Sequence, residues 1–208
     1  MNKKTHLLFI TLLTSFLMIS VHAQISVGLK EGDWVEYTAT YTGNPPETYP
    51  KTARIEVQTI QGTLITVEIN SILLNETQTS ITEIFDLNIG APDLIIIPAN
   101  LRAGDEVFHE DIGTFTIEGV AEYTFEGTTR ELVHANVMQT ELSWDRTTGI
   151  VIEAESISDT HTQTFLAVNT NIVQTQASDL YPMLLYAVIA VVIIVLVVIA
   201  ILVLRRTK

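Results

Sequence analysis

The chain has 208 residues, no cysteine, and 24 acidic against 11 basic side chains, a net charge of −13. Without cysteine it can form neither disulfides nor thiolate metal sites, and its acidity opposes binding to nucleic acid or to anionic lipid headgroups. The length suits one ordinary domain plus accessory segments.

At the N-terminus, Lys3, Lys4 and His6 precede a mostly apolar run from Leu7 to Ile19, and the small residues Val21 and Ala23 precede Gln24. The pattern predicts a secretory signal peptide over residues 1–23, cleaved after Ala23, with an uncleaved anchor as the alternative. The body of the chain, residues 24–174, is then expected outside the cell. From Gln24 to Leu180 there are 24 acids against six bases, a net charge of −18, which keeps an exported domain soluble or suits it to cations, basic partners or a salty medium.

Alternation with period two dominates this body. Ile55, Val57 and Thr59 alternate with Glu56 and Gln58; Ile65, Val67 and Ile69 alternate with Thr66, Glu68 and Asn70. Phe115 and Ile117, and further on Val133, Ala135 and Val137, repeat the pattern. Such runs predict half-buried antiparallel strands. Turn chemistry at Gln61-Gly62, Asn88-Ile89-Gly90, Ala103-Gly104-Asp105, Glu126-Gly127 and Thr147-Thr148-Gly149 separates them. About ten strands are expected, near 25–30, 34–42, 51–60, 63–72, 76–87, 93–97, 105–109, 113–125, 129–143 and, as one or two strands, 150–173. The fold class is therefore all-β: an antiparallel meander forming a curved sheet, half-barrel or barrel, with a β-sandwich as the alternative.

Residues 175–181 read as a linker. Behind them, the 22 residues Met183–Leu204 hold no charge and 17 Leu, Ile or Val, and Arg205, Arg206 and Lys208 follow. A helix of that length is about 33 Å long, enough to cross a bilayer core of roughly 30 Å. A transmembrane helix is predicted over residues 182–204, with Asp179 as its cap, Pro182 in its first turn and Tyr181 and Tyr186 at the interface. The basic tail, residues 205–208, then lies in the cytoplasm, making the protein single-pass with its N-terminus outside. A glycolipid-anchor signal is the competing reading of this apolar end.

Three local patterns carry a resemblance: Gly32-Asp33-Trp34-Val35-Glu36-Tyr37, Ile96-Ile97-Pro98-Ala99-Asn100-Leu101-Arg102-Ala103-Gly104-Asp105, and Trp144-Asp145-Arg146-Thr147-Thr148-Gly149-Ile150-Val151. Together they resemble uncharacterised archaeal surface proteins built as signal peptide, β-rich ectodomain and one C-terminal helix, which implies a topology and no activity. The third pattern alone is similar to an aromatic-Asp-x-x-Thr-Gly turn of half-barrel lipoprotein carriers, which hold acyl chains in a concave sheet. Read from its residues, it is a hairpin: Asp145 accepts amides two residues on, Gly149 supplies a positive φ, and Trp144 and Ile150 form the flanking cross-strand pair.

Candidate chemistry is sparse. Asp105, His109 and Asp111, with Glu106 and Glu110 beside them, form the densest set of hard-metal ligands, but they lack the spacing of a calcium loop and read as a solvated loop. His109, His134 and His161 would bind zinc only if their strands adjoin. GxSxG, HExxH, P-loop and dinucleotide fingerprints are absent. No catalytic residue and no cofactor is assigned. Asn75-Glu76-Thr77 is a glycosylation sequon, with Asn75 as acceptor, and Tyr49 among Pro45, Pro46 and Pro50 offers a contact surface. The expected function is a non-enzymatic cell-surface interaction or binding module whose partners are the bilayer, through the C-terminal helix, and envelope proteins, glycans or an apolar ligand. The alternative is a lipid or hydrophobic-ligand carrier using the concave face of the sheet, and the third reading is an envelope-acting hydrolase.

Overall fold

The computed structural model describes residues 25–91, 94–125 and 127–172; the predicted signal peptide, linker, membrane helix and basic tail lie outside them. Among the described residues no helix is long and apolar enough to cross a membrane. The described part is all-β. Its eleven strands are β1 (Trp34–Gly43), β2 (Pro50–Gln61), β3 (Leu64–Leu73), β4 (Gln78–Asp86), β5 (Glu106–His109), β6 (Gly113–Thr116), β7 (Gly119–Phe125), β8 (Thr128–Val137), β9 (Thr140–Asp145), β10 (Val151–Ile157) and β11 (His161–Thr170).

Nine of them form one antiparallel sheet in the order β4-β3-β2-β1-β11-β10-β9-β8-β7, and β5 and β6 pair as a separate hairpin. Two meanders thus meet where the first strand pairs with the last, with Val35 opposite Thr170 and Gly43 opposite His161. The alternation read in the sequence is the burial pattern observed: Val35, Tyr37 and Ala39 on β1, and Ala53, Ile55 and Val57 on β2, all face inward and are buried. Bulges at Glu36/Tyr37, Val57/Thr59 and Val151/Glu153 bend the strands that carry them.

Two stretches expected as strands are not. Residues 25–30 belong to no strand, and residues 94–97 form one isolated bridge, Ile96 to Ile150, rather than a ladder. Residues 94–97 are an apolar run, and such a run has the same composition whether it lies in a ladder or packs across one, whereas residues 25–30 alternate Ile25, Val27 and Leu29 with Ser26, Gly28 and Lys30 without pairing to a strand. The spans 113–125 and 129–143 each divide into two strands, with breaks at Ile117-Glu118 and Met138-Gln139, and 150–173, read as one or two strands, forms two, broken at Ser158-Asp159-Thr160.

The chain between β4 and β7 packs against the inner face. Leu94, Ile96, Ile97, Val107, Phe115 and Ile117 from this segment join Trp144, Tyr37 and Ile65 of the sheet in one core. Trp144 is fully buried, stacks on Phe115 at 6.0 Å and donates its indole N–H to the carbonyl of Leu94. Backbone bonds from Ile97 N to Gly149 O and from Val151 N to Ile95 O fix the segment against the β9–β10 turn. In that turn Asp145 Oδ1 accepts the amides of Thr147 and Thr148, as its sequence predicts, but Trp144 pairs with Val151 rather than Ile150. Ile150 O instead accepts the Asp145 amide, which leaves the Ile150 position free to bridge Ile96. Gly149 is required there, since its φ is +76° and a Cβ would lie 2.0 Å from Ile97 O.

Arg130 closes the same end. Buried beside the Phe125 ring, it donates to Asp145 Oδ2 at 2.9 Å and to the carbonyl of Ile172 at 2.8 Å, so the last described residues are pinned to the β9–β10 turn.

Candidate functional site

The segment from Leu94 to Ile117 fills one end of the inner face and leaves the other open. A cavity of about 440 Å³ remains between Ile95 and the sheet, within the range of roughly 300 to 1,000 Å³ found for small-molecule sites. Its walls come from strands far apart in the sheet: Ile81 of β4, Ile69 of β3 and Ile55 of β2 on one side, Leu142 of β9, Ala154 of β10 and Phe165 of β11 on the other. In a flat sheet β4 and β9 would stand about 29 Å apart, six strand spacings. Strands six places apart in the sheet thus line one cavity.

Cross-strand register arranges the lining in rows. Ala39, Phe165, Ala154, Leu142 and Ala135 are successive partners across β1, β11, β10, β9 and β8, which makes an apolar row. Two residues nearer the open end, Tyr41, Gln163, Ser156 and Thr140 are partners in the same way and make a polar row. Gln163, Ser156 and, on the opposite wall, Ser71 line the cavity, and the Thr140 hydroxyl donates to that of Ser156 at 3.2 Å. Polarity therefore changes over about 7 Å of strand, from hydrocarbon inside to hydrogen-bonding groups at the mouth.

Three rings stand at this end. Tyr49 meets His161 edge-on with centroids 5.2 Å apart, and Tyr41 lies 6.1 Å from Tyr49. The Tyr41 hydroxyl donates to the carbonyl of Pro50, another lining residue, at 2.5 Å. Partial burial, and then the neighbouring Tyr49, push the Tyr41 phenol up to about 12. On the adjacent hairpin tips Met138 is 80% exposed, with φ +58°, and Ile157 is 58% exposed, so apolar side chains also rim the open end. No charged side chain lines the cavity.

A second hollow, of about 580 Å³, lies on the outer face, lined by Glu36, Thr38, Arg54, Asn70 and Ser80 among others. Its charges are already engaged: Arg54 lies 3.9 Å from the Trp34 ring centroid and bonds Glu36 and Glu56. Its lining is more polar and it is more open, so it offers less desolvation to a ligand than the inner cavity does.

The residues singled out in the sequence have other employment. His109 is buried, its Nε2 bonded to Ala91 O at 3.1 Å while Nδ1 accepts the Asp111 amide at 3.2 Å; both ring nitrogens serve to fold the β5–β6 hairpin. The Asp105 carboxylate accepts the Arg102 amide. Among the described residues no group of three His, Asp or Glu side chains is arranged to hold a metal ion. His134 packs on Gly119, and His161 belongs to the ring cluster at the mouth. Asn75 sits exposed on the β3–β4 turn, its Oδ1 accepting the Thr77 amide. Tyr49 packs against Tyr41 and His161.

The lining residues were not singled out from the sequence, although a signal for them exists. Along β11 the inward positions change from His161 and Gln163 to Phe165 and Ala167; along β10 and β3, Ser156 gives way to Ala154, and Ser71 to Ile69. Three strand faces that switch from polar to apolar at one end mark an amphipathic cavity. Against known proteins, the chain matches no family model, no curated protein and no solved structure.

Proposed function

We propose that this domain is a half-barrel that binds an apolar or amphipathic molecule in its concave face, without catalysis, as part of a single-pass protein exposed at the outer side of a cell membrane. The observation that carries the reading is the unfilled cavity of about 440 Å³ whose lining passes from apolar depth to polar mouth. Leaving such a surface unpacked costs the fold stability, roughly 25 cal/mol for each Å² of apolar area kept wet, and a ligand recovers that cost. The binding-module reading of the sequence and its carrier alternative thereby converge: the module's ligand is the carrier's cargo. Secretion and membrane attachment rest on residues 1–23 and 182–204 of the sequence.

The test is native mass spectrometry of the protein purified from its membranes. A co-purified apolar molecule, one per chain, is expected. A ligand-free protein that turns over a glycan or peptide would replace this reading with the hydrolase.

A further inference from the structure

The lining of the cavity constrains the ligand beyond its being apolar. A charged headgroup drawn into the mouth loses water and needs an ion of opposite sign or several hydrogen bonds in return. Among the lining residues at the mouth, the polar groups are neutral: the hydroxyl of Ser156 and the amide of Gln163, which brings both a donor and an acceptor; beside them the hydroxyls of Tyr41 and Thr140 donate to Pro50 O and Ser156, and the His161 ring stands against Tyr49. Neither a lysine or arginine nor a carboxylate lines the cavity. Lys51, one residue beyond Pro50, is held by Glu76 at 2.7 Å. The net charge of −18 on residues 24–180 adds a long-range field that repels anions.

Resting on the reading of the cavity as an apolar-ligand site, we infer that its ligand is a single-chain lipid with an uncharged, hydrogen-bonding head. The tail occupies the apolar row of Leu142, Ala154 and Phe165 and the facing Ile69 and Ile81. The head meets Gln163, Ser156 and Tyr41. Each methylene taken from water adds about 0.8 kcal/mol, so affinity resides in the tail and selectivity in the head.

The full-length protein in lipid nanodiscs is exposed to three photoactivatable probes of equal chain length, a monoacylglycerol, a fatty acid held in its ionised form and an alkylamine, and crosslinked peptides are mapped by mass spectrometry. Labelling of peptides from β9, β10 and β11 is expected to be about ten-fold stronger with the monoacylglycerol than with either charged probe, a difference of about 1.4 kcal/mol. Gln163→Leu should reduce the monoacylglycerol signal several-fold. Gln163→Lys should raise labelling by the fatty acid, a gain that misfolding cannot produce. Labelling by either charged probe equal to that by the monoacylglycerol overturns the inference while leaving the cavity reading intact. No labelling of these strands by any probe overturns both.

Discussion

Trp144 donates its indole N–H to the carbonyl of Leu94 at 2.7 Å, across fifty residues of sequence, and so fastens the segment that fills half of the inner face to the strand beneath it. Leu94 itself has φ +54°, a backbone state that a leucine adopts only when its surroundings enforce it. Trp144→Phe keeps an aromatic ring but orphans a buried carbonyl and leaves a void. The expected loss of stability is about 2 to 4 kcal/mol, read as a lowered midpoint in denaturant unfolding with an unchanged slope.

Arg130 and Asp145 form a buried ion pair, 5% and 0% exposed. Removing one partner strands the other charge, so Arg130→Ala is expected to cost about 3 to 5 kcal/mol, far more than breaking the exposed Lys51–Glu76 pair, which is worth under about 1 kcal/mol. Because Arg130 also holds the carbonyl of Ile172, the same variant should expose the residues around Asn171 to protease earlier than the rest of the domain. Equal cleavage rates in both proteins would show that the chain end is held by other means.

Gly149→Ala places a methyl group against Ile97 O at a positive φ. A cost on the order of 3 kcal/mol is expected from strain and overlap together. Gly62, whose φ is +64° but whose Cβ position is open, should lose less on the same substitution, since only the backbone term applies. Thermal unfolding of the two variants side by side measures the difference.

Tyr41 makes the mouth responsive to alkali. Its phenol is held up to about 12 in the folded protein, and an unfolded tyrosine ionises near 10. The folded state therefore keeps the proton longer, and this contribution to stability is complete below about pH 10 and lost as pH rises through about 12. Tyr37 shifts in the same direction through full burial, with its hydroxyl bonded to Val151 O. Ultraviolet titration should show two late-ionising tyrosines, of which one is lost in Tyr41→Phe while Tyr37 remains. A titration unchanged by this substitution would contradict the partly buried phenol.

The strands of the first meander were legible in the sequence because each has one buried and one solvated face, and alternation such as Ile55-Glu56-Val57 reports that directly. Breaks such as Ile117-Glu118 were not, since alternation runs on through Thr116 and Glu118 while the backbone changes partner: the Ile117 amide bonds Asp105 O, and that of Glu118 bonds His134 O. The apolar run at Ile95, Ile96 and Ile97 reads equally as a strand or as packing laid across one, and only the structure shows the latter. The cavity depends on register. Tyr41, Gln163, Ser156 and Thr140 come from four strands, and nothing local in any of them states which residue stands opposite which. His109 misled for a related reason: its acidic neighbours suggest a ligand cluster, whereas its ring is turned inward to bond Ala91 and Asp111.

The most direct measurement is a fluorescence titration of residues 24–177 with an environment-sensitive apolar dye, comparing the natural sequence with Ala154→Trp. Ala154 faces the cavity between Leu142 and Phe165, and a tryptophan there would fill it from within. The account predicts saturable enhancement at one dye per chain in the natural protein, none in the variant, and a variant at least as stable, because it packs what was open. Equal enhancement in both proteins, or none in either, would contradict a ligand-binding cavity on the inner face of the sheet.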